Sequence, residues 1–132
     1  MKKFSLSNKE RIKSKKLFDL IYSEGKIIFS TDRYIKANYL TEEITGKSFV
    51  KMAAAVSSKA GKAVWRNRVK RLIRESYRMN KIKLVDLCKE KKLSLYVVFS
   101  PVSLNEKMNG KIILNNILPG VVEVINKILK SL

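Results

Sequence analysis

The stretch KAVWRNRVKRLIRESYR, residues 62 to 78, combines a regular apolar spacing with a high density of basic side chains. On a helical wheel five of its less polar residues share one sector about 100° wide. They are Trp65, Val69, Leu72, Ile73 and Ser76. Basic residues recur at four-residue spacing on the other side, at Arg66, Lys70, Arg74 and Arg78. The pattern predicts a helix that ends near Asn80, with one face in the protein core and one strongly basic face.

The basic face has an electrostatic cost that a merely solvated face would avoid. Like charges four residues apart destabilise a helix by about 0.2 to 0.5 kcal/mol per pair, and within this stretch only Glu75 carries the opposite charge. Arg also outnumbers Lys there, and the planar guanidinium can bind phosphate through two N–H groups at once. We therefore predict that this face binds a polyanion. The alternative is a solvated face that keeps the protein soluble.

The composition of the whole chain indicates the same kind of partner. The chain has 132 residues, enough for one domain, and its 29 Lys and Arg against 11 Asp and Glu give a formal net charge of +18. Such an excess favours a partner that neutralises it, most often nucleic acid or an anionic membrane. No apolar run reaches the length of a membrane span, and the first residues lack the apolar segment of a signal peptide. We expect a single-domain cytoplasmic protein with no role at a membrane.

The inventory of residue types excludes most catalytic chemistry. The chain contains no His, so it has neither an imidazole base nor a His metal ligand. Its single Cys88 cannot form an internal disulfide or a Cys-rich zinc site, and we interpret it as structural. Glu42 and Glu43 are adjacent and have no acidic cluster as a partner. We expect no catalytic residue, no metal site and no small-molecule substrate, and we expect that another molecule performs any catalysis.

Local signals before the basic helix predict one further helix and three strands. Residues 1 to 13 are polar and basic and are expected to form a flexible arm. A helix is predicted from Ser14, an N-cap residue, to Glu24, with Gly25 in the left-handed conformation just past its end. β-branched and aromatic residues predict strands, of which the first two form a hairpin. These strands are expected at residues 26–30, 34–40 and 49–57.

The segments after the basic helix complete the predicted fold. Residues 83 to 91 are expected to add a helical turn or two, and residues 93 to 100 form the clearest strand, which ends at Pro101. The Pro119-Gly120 dipeptide interrupts the apolar C-terminal region. It predicts two short helices, at residues 110–118 and 121–129. The order of elements predicts an α+β domain with helices packed against one sheet, in which the strands that flank the basic helix pair in parallel.

The run VSSKAGKAVWRNRVKRLIRES, residues 56 to 76, closely resembles the signature of the protein subunit of bacterial ribonuclease P. That signature is an Arg-Asn-Arg helix after a Gly-containing loop. The matching positions are Ser58, Lys59, Gly61, Lys62, Ala63, Val64, Arg66, Asn67, Arg68, Lys70, Arg71, Leu72, Ile73 and Arg74. The resemblance extends to LFDLIYSEG and to LYVVFS with Pro101, so it covers roughly residues 6 to 101.

The resemblance implies a fold and a division of labour. The fold would be an αβββαβα sandwich similar to the second domain of ribosomal protein S5, with a left-handed βαβ crossover carrying the basic helix, whereas general folding rules favour a right-handed one. In this family the RNA subunit hydrolyses precursor tRNA at the mature 5′ end, using Mg²⁺ bound mainly by the RNA and not stably by the protein alone. The protein would contribute to this endoribonuclease by binding the precursor, contacting its 5′ leader and supporting metal binding.

The resemblance also assigns roles to individual residues. The RNA subunit would contact the basic helix and the loop before it, at Arg66, Asn67, Arg68, Lys70, Arg71, Arg74, Lys59 and Lys62. The 5′ leader would lie in a cleft between the first helix and the sheet, lined by Phe18, Tyr22, Tyr34 and Lys36, with Lys59 at its mouth. Two features depart from the family pattern. Ala37 stands where a further cleft aromatic is common, and the C-terminal region is longer than the usual single helix.

Two other functions are alternatives. A structural RNA-binding protein of ribosomal type would use the same electrostatics without a processing role. A DNA-binding regulator would need a helix-turn-helix partner before residue 62, where strands are predicted instead.

Overall fold

The structure is a computed structural model that describes residues 8 to 132. Its helices are α1 (Lys15–Glu24), α2 (Ala63–Asn80), α3 (Ile82–Lys91), α4 (Glu106–Asn109) and α5 (Leu114–Ser131). Its strands are β1 (Lys26–Phe29), β2 (Ile35–Glu43), β3 (Phe49–Ala54) and β4 (Leu93–Pro101). A short 3-10 turn at Asn8–Glu10 precedes them. The predicted α+β class is confirmed, and α3 and α4 are added to the implied αβββαβα order.

The four strands form a sheet with the order β1-β2-β4-β3. β1 and β2 form the predicted hairpin, and β2 also pairs antiparallel with β4. β3 pairs in parallel with β4, and the connection between them runs through α2 and α3. The predicted parallel pairing across the basic helix is thereby confirmed. The left-handed sense of this crossover, which the resemblance implies, stays a prediction.

Side chains alternate along a strand, so the strands contribute side chains to both faces of the sheet. Different helices cover the two faces. The main core lies between the sheet and α2, α3 and α5. From the strands it contains Ile35, Ala37, Tyr39, Val50, Met52, Leu95, Val97 and Phe99. On the opposite face, Ile12, Ile21 and Val98 form a smaller core beneath α1. The basic helix and α1 are therefore on opposite faces of one sheet.

The C-terminal region forms one continuous helix, so the predicted break at Pro119-Gly120 is wrong. Pro119 is exposed in the second turn of α5, and Asn115, whose carbonyl loses its helical N–H partner, is exposed as well. Water can therefore replace the missing bond. Gly120 faces the sheet and is buried, and a Cβ atom there would lie 2.8 Å from Ile35 Cγ1. The glycine allows the close approach of α5 to β2, so it serves packing and does not end the helix.

Burial of one stripe of α5 outweighs the helix-breaking tendency of the dipeptide. The stripe consists of Ile117, Val121, Val124, Ile125 and Ile128. Each such side chain contributes about 1.5 to 3 kcal/mol when buried, whereas an interior proline costs about 3 kcal/mol. Neither α5 nor any other helix within residues 8 to 132 is long and apolar enough to cross a membrane.

The Gly120 contact gives a stability prediction. Gly120→Ala should lower the free energy of unfolding by about 1 to 3 kcal/mol, because its Cβ would press on the buried side chain of Ile35. Gly46→Ala is the matched control, since a Cβ at Gly46 meets nothing within 4 Å. Urea unfolding of both variants and the parent chain measures the difference. Equal stability of the two variants would mean that α5 does not approach β2 as described.

The start of α1 follows its sequence signal, whereas its end differs from the prediction. Ser14 is the N-cap, and its Oγ accepts a hydrogen bond from Leu17 N. Gly25 has a φ of −76° and an extended backbone, so the predicted left-handed conformation is wrong. A Cβ at this position would lie 2.4 Å from the carbonyl oxygen of Ile21 and 2.7 Å from that of Tyr39. Glycine is required here because two backbone segments approach each other closely.

Part of the predicted flexible arm packs against the sheet edge. Ile12 is buried, and its N–H donates to the carbonyl of Met52 in β3 at 2.9 Å. Glu10 accepts hydrogen bonds from the buried ammonium of Lys81 at 2.8 and 2.9 Å. These contacts hold residues 10 to 12 beside β3. The arm predicted for residues 1 to 7 lies outside the described residues.

Candidate nucleic-acid interface

Helix α2 presents the two faces that its sequence predicts. Trp65, Val69, Ile73 and Ser76 are buried, and Leu72 is partly buried against the same core. Tyr77 is buried as well, although the helical wheel did not include it. On the other side Asn67, Arg68 and Arg71 are exposed, while Arg66, Lys70 and Arg74 are half-buried. All six predicted RNA-contacting residues of α2 are thus outside the hydrophobic core, and together they form the basic surface of this helix.

Two arginines of this surface are held by the backbone. Arg66 Nε donates to the carbonyl of Gly61 at 3.1 Å, and Arg68 Nε donates to the carbonyl of Ile112 at 2.7 Å. A guanidinium has five N–H donors, so one such bond leaves the Nη groups available for a phosphate. Because the orientation of each guanidinium is already restricted, less side-chain entropy is lost when a partner binds.

Like charges crowd the middle of α2. The pKa of Arg74 is lowered, first by burial and then by the positive charges of Arg11 and Arg71. Arg78, which belongs to the same four-residue series, forms a salt bridge with Glu75. Three guanidinium groups thus repel one another at Arg74, and an anionic partner would relieve that repulsion. Arg11 was not predicted to belong to this surface, although its alternation with the apolar Ile12 was a weak signal for an extended, packed segment.

The loop before α2 is fixed to α4. Lys62 N donates to Glu106 Oε1 at 2.7 Å, and Trp65 Nε1 donates to the carbonyl of Asn109 at 2.9 Å. A Cβ at Gly61 would lie 2.8 Å from both Trp65 Cε3 and Glu106 Cβ, so the loop can approach α4 only with glycine there. The exposed side chains of Lys59 and Lys62 therefore extend from a loop with a defined position.

The residues predicted for a cleft lie around the opposite face of the sheet. The rings of Phe18 and Tyr22 on α1 are stacked with centroids 6.5 Å apart. Tyr22 is 45% exposed, and burial of the rest of its ring raises the pKa of its hydroxyl, partly offset by a hydrogen bond with Ser100. Lys36 pairs across strands with Ser100, so it is on the same face as Tyr22. The structure therefore places Tyr22 and Lys36 at the same end of β4.

Tyr34 lies immediately before β2 and is 39% exposed. Phe29, on the same face as Lys36, was not predicted for the cleft, and the guanidinium of Arg33 lies 4.6 Å from its ring centroid.

Ala37 is fully buried in the main core, on the other face. Ala37 therefore does not stand at a position facing α1, where a further cleft aromatic was expected. The cleft face of β2 carries Lys36, Asn38 and Leu40 instead.

Clusters of the side chains that most often bind metal ions are absent from the described part of the chain. Among residues 8 to 132, no three His, Cys, Asp or Glu side chains lie close enough together to hold an ion. Cys88 is a buried free thiol.

Residues 6 to 112 match the family model described as Ribonuclease P. The chain belongs to the ribonuclease P protein family. The ribonuclease P protein component of Syntrophus aciditrophicus is 38% identical over 81 residues, which cover 61% of this chain and 64% of that protein. That of Porphyromonas gingivalis is 33% identical over 101 residues, which cover 76% of this chain and 72% of that protein. The chain thus spans slightly less than two thirds of the first of these relatives.

Solved ribonuclease P proteins share the fold. The protein from Staphylococcus aureus superposes with a TM-score of 0.66 at 21% identity, covering 90% of this chain and 94% of that one. The protein from Thermotoga maritima gives a TM-score of 0.63 at 25% identity, covering 93% and 97%. The family resemblance and the fold class inferred from residues 56 to 76 are therefore confirmed. The assignments of individual ribonuclease P site residues stay predictions.

Proposed function

We propose that this chain is the protein subunit of a ribonuclease P holoenzyme. It binds the catalytic RNA subunit through α2 and the 5′ leader of precursor tRNA through the cleft beside α1, and so assists removal of the leader to generate the mature 5′ end. The observation that carries the proposal is the basic face of α2, where Arg66 and Arg68 are oriented by backbone carbonyls. The chain works in the cytoplasm as part of a ribonucleoprotein.

In this proposal the RNA subunit performs the hydrolysis and holds most of the Mg²⁺. The protein supplies positive charge, since a net charge of +18 lets it neutralise many phosphates. Each neutralised phosphate releases condensed counterions, so the affinity should fall steeply as salt rises. Neutralising the RNA near the substrate also reduces the repulsion between the catalytic RNA and the precursor tRNA, which are both polyanions.

The cleft binds the leader by a different principle. An unpaired base can stack on an exposed aromatic ring, which contributes about 1 to 3 kcal/mol per base with little sequence preference. Tyr22 and Tyr34 provide such rings, Phe18 supports Tyr22 from the same helix, and Lys36 provides a cation for the backbone. Arg11 pairs with Met52 at the β3 edge of the sheet, and its positive charge acts on Arg74 of α2. Arg11 therefore continues the positive surface of α2 to that edge of the sheet.

The Tyr22 ring gives a direct test of leader binding. Tyr22→Ala should weaken binding of precursor tRNA by about 1 to 3 kcal/mol, because one stacked base loses its platform. Mature tRNA, which has no leader, should bind unchanged. Tyr22→Phe is the matched control, since it keeps the ring and removes only the hydroxyl that bonds Ser100. Fluorescence anisotropy of labelled tRNAs with the assembled holoenzyme measures both affinities. Equal losses for precursor and mature tRNA would contradict leader binding at this position.

The proposed function is tested by competition binding at one salt concentration. The labelled ribonuclease P RNA is bound to the protein and displaced with unlabelled ribonuclease P RNA, a ribosomal RNA fragment or duplex DNA of equal phosphate content. We expect the ribonuclease P RNA to compete best, because the oriented arginines favour one RNA surface over bulk phosphate. Equal competition by the ribosomal fragment would favour a structural RNA-binding protein. Stronger competition by the duplex would favour a DNA-binding regulator.

A further inference from the structure

A groove separates the start of α2 from the segment that joins α4 to α5. It encloses about 530 Å³ and is lined by Lys62, Val64, Trp65, Arg68, Glu106, Gly110, Lys111 and Ile113. This volume is within the range of about 300 to 1,000 Å³ that is common for clefts binding small organic groups. We call it the α2–α5 groove. Apart from Lys62 and Arg68, its polar residues were not predicted to contact RNA.

Two large apolar side chains of the groove are exposed to solvent. Val64 is 84% exposed and Ile113 is 50% exposed, although both belong to residue types that are usually buried. The two line the same concave surface together with Trp65, which is itself largely buried. Isolated exposed apolar residues are common and do not indicate a binding site. Apolar residues that share one concave surface do indicate one.

The same groove is positively charged at its margin. Lys62, Arg68 and Lys111 are all exposed there. The lining contains one carboxylate, Glu106, and its Oε1 already accepts a hydrogen bond from Lys62 N at 2.7 Å. Three cations around an apolar floor are unfavourable for an apolar peptide partner, whereas they suit a group that is flat and apolar and is attached to phosphates. A nucleotide has this composition.

The groove is also held in a defined shape. Trp65 Nε1 donates to the carbonyl of Asn109, Arg68 Nε donates to the carbonyl of Ile112, and Ile113 N donates to Asn116 Oδ1 at 2.8 Å. The first two bonds join the two sides of the groove before any partner is present, and the third fixes the start of α5. A preformed site loses less conformational entropy when it binds.

We propose that the α2–α5 groove receives one unstacked nucleobase of the RNA subunit, with the adjoining phosphates on Lys62, Arg68 and Lys111. The inference rests on the proposed function and extends the RNA interface from α2 to the residues before α5. Bases inside a duplex are stacked and cannot enter a concave site, so the occupant comes from a loop, bulge or end of the RNA. The RNA subunit is favoured over the leader, because the groove adjoins the Arg68 face of α2 and not the cleft beside α1.

The test uses a double variant, Val64→Ser with Ile113→Ser. Val64 is almost fully exposed, and Ile113 is the N-cap of α5, a position that serine favours, so the fold should be retained. Met79→Ser is the matched control, because Met79 is 45% exposed near the other end of α2, about 22 Å away along the helix. Binding of the full-length ribonuclease P RNA is measured over a range of salt concentrations, and the fluorescence of Trp65, the only Trp in the chain, is recorded.

The wild-type and variant arms test different claims. Binding of the RNA by the wild-type chain tests the proposed function alone, and its absence would overturn that function. Given such binding, we expect the double variant to lose about tenfold in affinity with an unchanged salt slope, since no charge is removed. Lys111→Ala should instead reduce the salt slope by about one. The RNA should quench Trp65 in the wild type and less in the double variant. RNA affinities within twofold of each other for wild type, double variant and Met79→Ser would overturn the inference.

Discussion

Replacing both Arg66 and Arg68 with alanine should weaken binding of the ribonuclease P RNA by about 3 to 5 kcal/mol. Each guanidinium is oriented by a carbonyl, at Gly61 and at Ile112, and is available to phosphate through its Nη groups. Hydrogen bonds to charged groups contribute about 1.5 to 3 kcal/mol each, so the loss of two such contacts accounts for the effect. The slope of log affinity against log salt should decrease by about one for each lost phosphate contact. Filter binding at several salt concentrations measures both quantities.

A charge-matched control distinguishes the effect of where the two charges lie from the effect of the lower net charge. Lys83→Ala with Lys89→Ala removes the same two charges from exposed positions on α3. We expect this control to lose less than about 1 kcal/mol, because these side chains are outside the α2 surface and long-range attraction is screened by salt. A loss equal to that of the arginine variant would mean that the RNA responds to overall charge and does not contact α2 specifically.

Ile73→Ala should lower the free energy of unfolding by about 2 to 5 kcal/mol. Ile73 is fully buried on the core face of α2, so its truncation removes buried apolar surface and leaves a cavity. Arg71→Ala, two residues away on the exposed face, should change stability by less than about 0.5 kcal/mol, since it also relieves repulsion with Arg74. Denaturant unfolding of the free protein measures both. Comparable losses at the two positions would contradict the division of α2 into a core face and a basic face.

Local signals in the sequence predicted much of the fold. The N-cap at Ser14, the hairpin of β1 and β2, and the apolar stripe of α2 each depend on residues close together in the chain. Such elements can be predicted from the sequence because the interactions that cause them join residues only a few positions apart. The predicted basic face of α2 followed from the same periodicity.

The features that the sequence did not predict depend on contacts between distant residues. The close packing of α5 on β2 depends on the fit of Gly120 against Ile35, and the role of Gly25 depends on the carbonyl of Tyr39. Neither contact is visible in local spacing, so both glycines were assigned to helix ends. The anchoring of Arg68 by Ile112 is another long-range contact, and it reveals that α2 and the segment before α5 form one surface. The proposed RNA partner was inferred from the resemblance that the Arg-Asn-Arg pattern carries and not from charge or periodicity.

The central claim is that this protein assists an RNA catalyst in removing the 5′ leader of precursor tRNA. Its most direct test is the rate of 5′ cleavage by a bacterial ribonuclease P RNA at low Mg²⁺, with and without the wild-type chain. We predict that the chain raises the rate well above that of the RNA alone, and that the Arg66→Ala, Arg68→Ala variant does so only at much higher concentration. A rate equal to that of the RNA alone, with a folded wild-type chain present in excess, would contradict the claim.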